Sequence, residues 1–400
     1  MSETRESQQI KKDEYVKYLM SVKKTFSVTR ASFIDGFSQI EIPVAIAYRP
    51  NSKVLSQSGG KGITREQALI SALMESYECD SAEKVKPDVK RKSEEDLIQE
   101  RILFISPKNL PTTLTTYNSK IKLDWCKGYI LDEKNRKEEV LVPFGAVSVD
   151  FTKMASLMEN TYMQYSTNGL ASGIDKDDAI KSAIFEIIER HCVTSHEIKH
   201  AETTRYIDLL TLPCNIHTEL IDKIICHDVD IEIYDLTLFE DFPVYSCYLY
   251  DEDGRANCGW GCHLDPEIAI IRAITEANQA RSIQISGSRE DMHKYDYFSN
   301  RRREKDERET LNKISKNKAF RRTGKKETSI YQLLKLLKKY NIEDPTVVIL
   351  DTKDKMCTVR VVITNLHGYN YPGYKSMLSK NLLEDINSYE EQITHKPAGI

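Results

Sequence analysis

Four hundred residues with 40% hydrophobic content suffice for one large domain, or two ordinary ones, with a sizeable core. Charged residues make up 30% and nearly cancel to a net charge of −4, which excludes a general attraction to nucleic acid or an anionic membrane. The nine scattered cysteines read as reduced thiols, the opening MSETRESQQIKKDEY lacks the apolar stretch of a secretion signal, and the most apolar run, IAIIRAITEA, is short and broken by Arg272. A cytoplasmic protein without a membrane span is expected.

In chain order, residues 1–27 read as an N-terminal helical extension. Strands are predicted at 42–48, 140–149, 230–237, 244–250, 346–352 and 358–364, most of them rich in β-branched and aromatic residues and bounded by Pro, Asp or Gly. Between them lie three well-signalled helices and a fourth near 329–340, which predicts an α/β architecture. Segment 301–326 holds twelve Lys or Arg against four acids with few apolar anchors, and reads as a mobile, solvated loop. A dock for an acidic peptide or for nucleotide phosphates is the alternative, and no interleaved aromatic motif points to RNA.

The first helix opens at Thr64 with Gln67 three residues on, a capping box. Ala68, Leu69, Ala72 and Leu73 form its apolar side, while Ser71, Glu75 and Glu78 stack at i, i+4, i+7. Just upstream, Ser58-Gly59-Gly60-Lys61-Gly62 reads as a loop able to bring backbone N–H groups near an anion. The second helix starts near Asp175, buries Ala179, Ile180, Ala183, Ile184, Ile187 and Ile188, and repeats the stripe with Ser182, Glu186, Glu189 and Arg190. A Gly-containing polar loop, residues 166–173 with Asn168, is read before it. The third starts at Asp265-Pro266, buries Ala269, Ile270, Ala273 and Ile274, and carries Arg272, Glu276 and Gln279, followed by Arg281.

Any one stripe is also what an ordinary solvated helix face looks like. Three together are harder to read that way. Glutamates gathered in one place repel unless a cation neutralises them, and magnesium bridging carboxylates to phosphates meets that need, with arginines on the phosphate oxygens. The stripes point to a nucleotide site.

Segments 58–78 (SGGKGITREQALISALMESYE), 166–191 (STNGLASGIDKDDAIKSAIFEIIERH) and 273–291 (AITEANQARSIQISGSRED) resemble, in order, the three signature blocks of YcaO proteins. The resemblance spans roughly 28–375, which would be the catalytic domain, with 376–400 a C-terminal tail. It implies a YcaO-type fold with large mixed sheets and flanking helices, and an ATP site built from three helices without a Walker A loop; GxxxxGK[ST] is absent here. It also implies ATP and Mg2+ as cofactors, with Glu75, Glu78, Glu186 and Glu189 as magnesium or nucleotide ligands. Arg190, Arg272 and Glu276 match further positions of that site, and Ser71, Asn168, Ser182, Gln279 and Arg281 are weaker candidates. No catalytic protein nucleophile is identified. Two departures stand out: Ile174, where many relatives have Asn, and Cys79, where many have Arg.

The family carries out ATP-dependent backbone chemistry on ribosomally made peptides, phosphorylating an amide oxygen after a nucleophile has added to the amide carbon. A neighbouring Cys, Ser or Thr as nucleophile gives an azoline; external sulfide gives a thioamide, with a TfuA-like partner for sulfur delivery. The chain ends in THKPAGI, without the PxPxP-like tail of many azoline-forming members, and 359–374 is similar to the stand-alone, TfuA-associated subgroup. Thioamidation of a precursor peptide or a protein is therefore expected, with cyclodehydration or a non-catalytic leader-binding scaffold as alternatives. The resemblance also implies a homodimer; from the charge balance and the lack of a long apolar run, no nucleic acid or membrane partner is expected. Cys258 and Cys262 are more simply buried thiols on a turn than a zinc site, and His196 and His200 are too few for one. His191 directly follows Arg190, within reach of a nucleotide there, but is not counted among the site residues.

Overall fold

The computed structural model describes residues 5–113, 118–134, 137–153, 166–198, 205–252, 254–287, 318–321, 329–369 and 374–375. His200, the tail 376–400 and all of the basic segment except residues 318–321 lie outside these. Helix α1 (Arg5–Val22) runs against α2 (Arg65–Lys84). Leu19 and Phe26 are fully buried there with Ala68, Leu73 and Tyr77.

In chain order follow β1 (Arg30–Phe33), β2 (Val44–Tyr48), β3 (Gln57–Lys61), α2, β4 (Val89–Lys92), α3 (Glu94–Gln99) and β5 (Thr112–Thr113). Next come β6 (Leu123–Leu131), β7 (Lys137–Pro143), β8 (Leu170–Gly173), α4 (Lys176–Ile198) and β9 (Arg205–Tyr206). A broken helical run, α5 (Cys214–Ile216) to α6 (Asp222–Ile225), leads to β10 (Asp230–Asp235), β11 (Val244–Tyr250), β12 (Ala256–Cys262) and α7 (Pro266–Ser286). The last described elements are α8 (Ile330–Lys339), β13 (Thr346–Lys353), β14 (Met356–Val362) and β15 (Tyr374–Lys375).

Three sheets carry the core: β1-β2-β3, β12-β11-β10-β9, and β4-β6-β13-β14-β8 with β7 paired to β6. All named pairs are antiparallel; among the described residues parallel pairing is confined to two isolated bridges, Phe104–Leu141 and Ile207–Lys318. The expected α/β class is what the chain adopts, with antiparallel sheets. No helix among the described residues is long and apolar enough to cross a membrane.

Each sheet delivers one long helix in the same way. The strand before it, β3, β8 or β12, turns sharply into α2, α4 or α7, which packs back on that strand. The Thr64 capping box, the Asp175 side chain accepting from Asp178 N–H, and Asp265 followed by Pro266 begin the three helices. Their predicted apolar sides are buried, from Ala68 and Leu73 through Ile180 and Ile184 to Ala269 and Ile274.

The glycines upstream have a different task from the one their sequence suggested. Gly59 and Gly60 lie within β3, not in an open anion-binding loop, and Leu170–Gly173 is strand β8. A Cβ on Gly60 would stand 2.0 Å from the Ala68 carbonyl oxygen and 2.3 Å from the Ala72 nitrogen, and one on Gly261 would stand 2.1 Å from the Ala269 oxygen. Strand and helix backbones touch there, so only glycine fits. Gly60→Ala is expected to cost about 1–3 kcal/mol of stability by overpacking. Gly36→Ala, where a Cβ meets nothing within 4 Å, should stay within about 0.5 kcal/mol of wild type. Denaturant unfolding of both variants checks this.

Candidate functional site

The three deliveries bring the polar stripes of α2, α4 and α7 face to face. From α2, Glu78 accepts two hydrogen bonds at one carboxylate oxygen, from the backbone N–H and the hydroxyl of Ser172, both at 2.8 Å. Ser172 belongs to β8, so this clamp fixes α2 against the strand that launches α4. Glu189 and Arg190 of α4 are buried. From α7, Glu276 pairs with Lys61 at the end of β3.

The charges of these groups act on one another across the three helices. Glu78 responds to Glu75; Glu186 to Arg190, Glu78, Glu189 and Arg360; Glu189 to Glu276, Arg272, Arg190 and Lys61. The structure thus brings Glu75, Glu78, Glu186, Glu189, Arg190, Arg272 and Glu276 into one cluster.

Burial pushes Glu78 up to about 8, opposed by the Ser172 hydroxyl and reinforced by the charge of Glu75. It pushes Glu186 up to about 8 as well, against the pull of Arg190 and with the push of Glu78 and Glu189. Glu189 is raised by burial and then by Glu276, with Arg272 opposing. Crowded hard oxygens that hold protons this far above the ordinary carboxylate range form a donor set suited to a hard divalent cation. Among the described residues no three His, Cys, Asp or Glu side chains form a complete metal site.

Two arginines are fixed in place beside the acids. Arg190 lies 3.9 Å from the centre of the Tyr369 ring and 5.1 Å from that of Trp260, and its buried Nε has no hydrogen-bond partner among the described residues. Arg360, buried on β14, donates from Nε to the Ala146 carbonyl at 2.8 Å and from Nη2 to the Ser166 carbonyl at 2.7 Å. Burial lowers its pKa to about 10, against the opposing pull of Glu186. Lys61 and Ser172 lay within the quoted blocks without being named for the site, and Arg360, Trp260 and Tyr369 carried no sequence signal that singled them out for it.

A sequence model described as YcaO cyclodehydratase, ATP- and Mg2+-binding, matches residues 59–367. The chain belongs to the YcaO family. An uncharacterized protein of Methanothermobacter thermautotrophicus is 31% identical over 300 residues, covering 73% of this chain and 75% of that protein. An uncharacterized protein in the tfuA 3' region of Rhizobium leguminosarum bv. trifolii is 30% identical over 280 residues, covering 67% of this chain and 65% of that one. Among solved structures, YcaO from Methanopyrus kandleri bound with AMPPCP and Mg2+ superposes with a TM-score of 0.69 at 20% identity, covering 92% of this chain and 95% of that chain. This YcaO chain is thus a member of an ATP-dependent, cyclodehydratase-type family whose domain binds ATP and Mg2+.

The weaker candidates divide. Ser71 and Ser182 are half-buried on the helices that carry the glutamates. Gln279 lies against Gly59, and the buried Oδ1 of Asn168 has no hydrogen-bond partner among the described residues. Arg281 is turned to other partners, Asp251 at 2.8 Å and the Ser38 hydroxyl at 2.7 Å. Of the two departures from the YcaO pattern, Ile174 is exposed just before α4, and Cys79 is half-buried, with its thiol raised by burial and the nearby glutamates. His191 stacks between Phe239 and His367, with Nδ1 accepting from the His367 N–H at 3.0 Å. His196 is buried, its Nδ1 2.9 Å from the Cys192 carbonyl. The Cys258–Cys262 segment is strand β12 and not a turn, so the Cα atoms of the two cysteines stand about 13 Å apart at strand spacing.

The raised carboxylates give a pH prediction. Between the ordinary carboxylate pKa and about 8, the folded protein keeps protons on Glu78 and Glu186 that the unfolded chain releases. That contribution to stability is complete below the lower value and is lost as pH rises through the window. A cation that needs the charged carboxylates displaces those protons. Binding of a magnesium-loaded, non-hydrolysable ATP analogue at pH 7 should release about one to two protons, and its affinity should rise towards pH 8 and then level off. Calorimetry in buffers of different ionisation heat counts the protons; a count of zero contradicts the expectation.

Proposed function

We propose that this chain uses ATP to phosphorylate the oxygen of a backbone amide in a ribosomally made peptide and installs a thioamide there. The observation that carries the reading is the meeting of three helical stripes in one half-buried cluster of carboxylates and arginines. Glu75, Glu78, Glu186 and Glu189 would hold magnesium, with Glu276 beside them, and Arg190 and Arg272 would take phosphate oxygens. Magnesium, when bound, would neutralise the charge that develops on the transferring phosphoryl group.

Amide oxygen is a poor leaving group, and phosphorylation corrects that. A sulfur nucleophile adds to the amide carbon, the resulting oxyanion takes the γ-phosphoryl group, and phosphate departs with the former carbonyl oxygen. The carbon–sulfur double bond forms as the sulfur's proton is lost. The protein's share is to position reactants and neutralise charge. Sulfide is favoured over a peptide side chain by the relative encoded beside tfuA, and a TfuA-like partner would deliver it.

The test is an assay of candidate precursor peptides with this chain, ATP and Mg2+, with and without sulfide and a TfuA-like protein. Sulfide-dependent replacement of oxygen by sulfur, with stoichiometric phosphate release, is the expected result. Sulfide-independent loss of water would mean azoline formation.

A further inference from the structure

The segment that leads into β8 is pinned to β14. Thr167–Leu170 is a tight turn, closed by the Leu170 N–H donating to the Thr167 carbonyl at 2.8 Å, and Gly169 supplies the positive φ of 79° that its third position requires. The Gly169 carbonyl accepts from the Val361 N–H at 2.8 Å, and the Ser166 carbonyl accepts from Arg360 Nη2 at 2.7 Å. Asn168 is thus held between two contacts with β14.

This turn and β14 border a cavity of about 50 Å³, room for about four water-sized groups. Leu110, Ile187, Val362 and Leu366 give it apolar walls. Two residues that line it each carry an unsatisfied polar atom. Arg360 is 4% exposed; its Nε and Nη2 are spent on carbonyls, and its buried Nη1 has no partner among the described residues. The buried Oδ1 of Asn168 has none either. Such atoms are costly to leave unpaired, so the cavity calls for a ligand that satisfies both. One donor and one acceptor between apolar walls match a peptide unit, whose C=O accepts and whose N–H donates. A phosphate or carboxylate would meet the arginine but be repelled by the asparagine oxygen. The cavity also borders the acid cluster, since Ile187 directly follows Glu186 on α4 and the charges of Glu186 and Arg360 act on each other.

We propose that this cavity is a peptide subsite: Arg360 Nη1 donates to the carbonyl, and Asn168 Oδ1 accepts from the N–H, of a peptide unit beside the one that is phosphorylated. The proposal rests on the backbone-amide reading above and adds where the peptide is gripped. It moves Asn168 from the nucleotide to the peptide.

The probe is a blocked dipeptide, N-acetylalanine N-methylamide. Its affinity is measured by saturation-transfer NMR for wild type, Asn168→Ala and Arg360→Lys, alongside that of a magnesium-loaded non-hydrolysable ATP analogue. Wild type should bind the dipeptide saturably and prefer it to the free acid N-acetylalanine. Asn168→Ala should weaken dipeptide binding about fivefold or more, the loss of one hydrogen bond, and keep analogue affinity within about twofold of wild type. Arg360→Lys, which keeps the charge but not the planar fork, should weaken dipeptide binding as well. Where Arg360→Lys fails to fold because two carbonyls lose their donor, Asn168→Ala alone decides. No saturable binding to wild type, preference for the free acid, or unchanged dipeptide affinity in Asn168→Ala overturns the subsite. A comparable or larger loss of analogue affinity in Asn168→Ala also overturns it, by returning Asn168 to the nucleotide. Failure of wild type to bind the analogue instead rejects the phosphorylation reading, and the dipeptide readout still decides the subsite.

Discussion

Glu189→Gln is expected to lower turnover by a factor on the order of 10²–10³ and to leave the fold intact. Glutamine keeps the shape of the side chain but removes a carboxylate charge surrounded by Glu276, Arg272, Arg190 and Lys61. Glu189 is 7% exposed, so no bulk water replaces that charge. The variant should melt as high as wild type or higher, because one member of a group of mutually repelling acids has been neutralised. Phosphate release and circular dichroism measured together give the result. Full turnover would mean that the phosphoryl-transfer machinery lies elsewhere, whichever nucleophile is used.

Arg49→Met should have the largest effect on stability, about 3–5 kcal/mol. Arg49, 1% exposed and just beyond β2, holds Glu83 at 2.6 Å and Asp80 at 3.5 Å near the end of α2. Glu83 also collects the Ser52 hydroxyl at 2.5 Å and the backbone N–H groups of Lys53 and Val54 at 3.0 and 3.2 Å. Losing the arginine takes the buried Glu83 carboxylate's ion pair and leaves Asp80 with Lys84 at 2.6 Å, a cost the pair itself does not return as net stability. The double variant Arg49→Met/Glu83→Leu should recover a substantial part of the loss. Equilibrium denaturation of the two variants decides between this account and simple loss of packing, which the double variant would not repair.

The helices that carry the site were legible because their signals are local. Caps at Thr64, Asp175 and Asp265, apolar sides at helical spacing, and stripes at i, i+4, i+7 all lie within one or two turns. Strands β10, β11, β13 and β14 announced themselves by β-branched and aromatic content. β3 and β12 did not, since Gln57–Lys61 and Ala256–Cys262 owe their strand form to helices packed against their glycines. The same limit hid much of the site. Lys61 meets Glu276 across 215 residues of chain, and Ser172 meets Glu78 across 94. Arg360 lies in a strand whose neighbours gave no hint of a charge beneath Glu186. Stripe spacing can nominate a face, but which face it meets is decided by long-range packing.

The central claim is that α2, α4 and α7 contribute to one magnesium–nucleotide site, and a binding cycle across the helices tests it most directly. Affinity for the magnesium-loaded ATP analogue is measured in Glu78→Gln, Glu189→Gln and Glu276→Gln, and in each pair of these. Each single change should weaken binding about tenfold or more, and each pair should depart from additivity by about 1 kcal/mol or more, because all three act on the same ligand. Independent, additive effects, or wild-type affinity in any one of the three variants, would contradict a shared site.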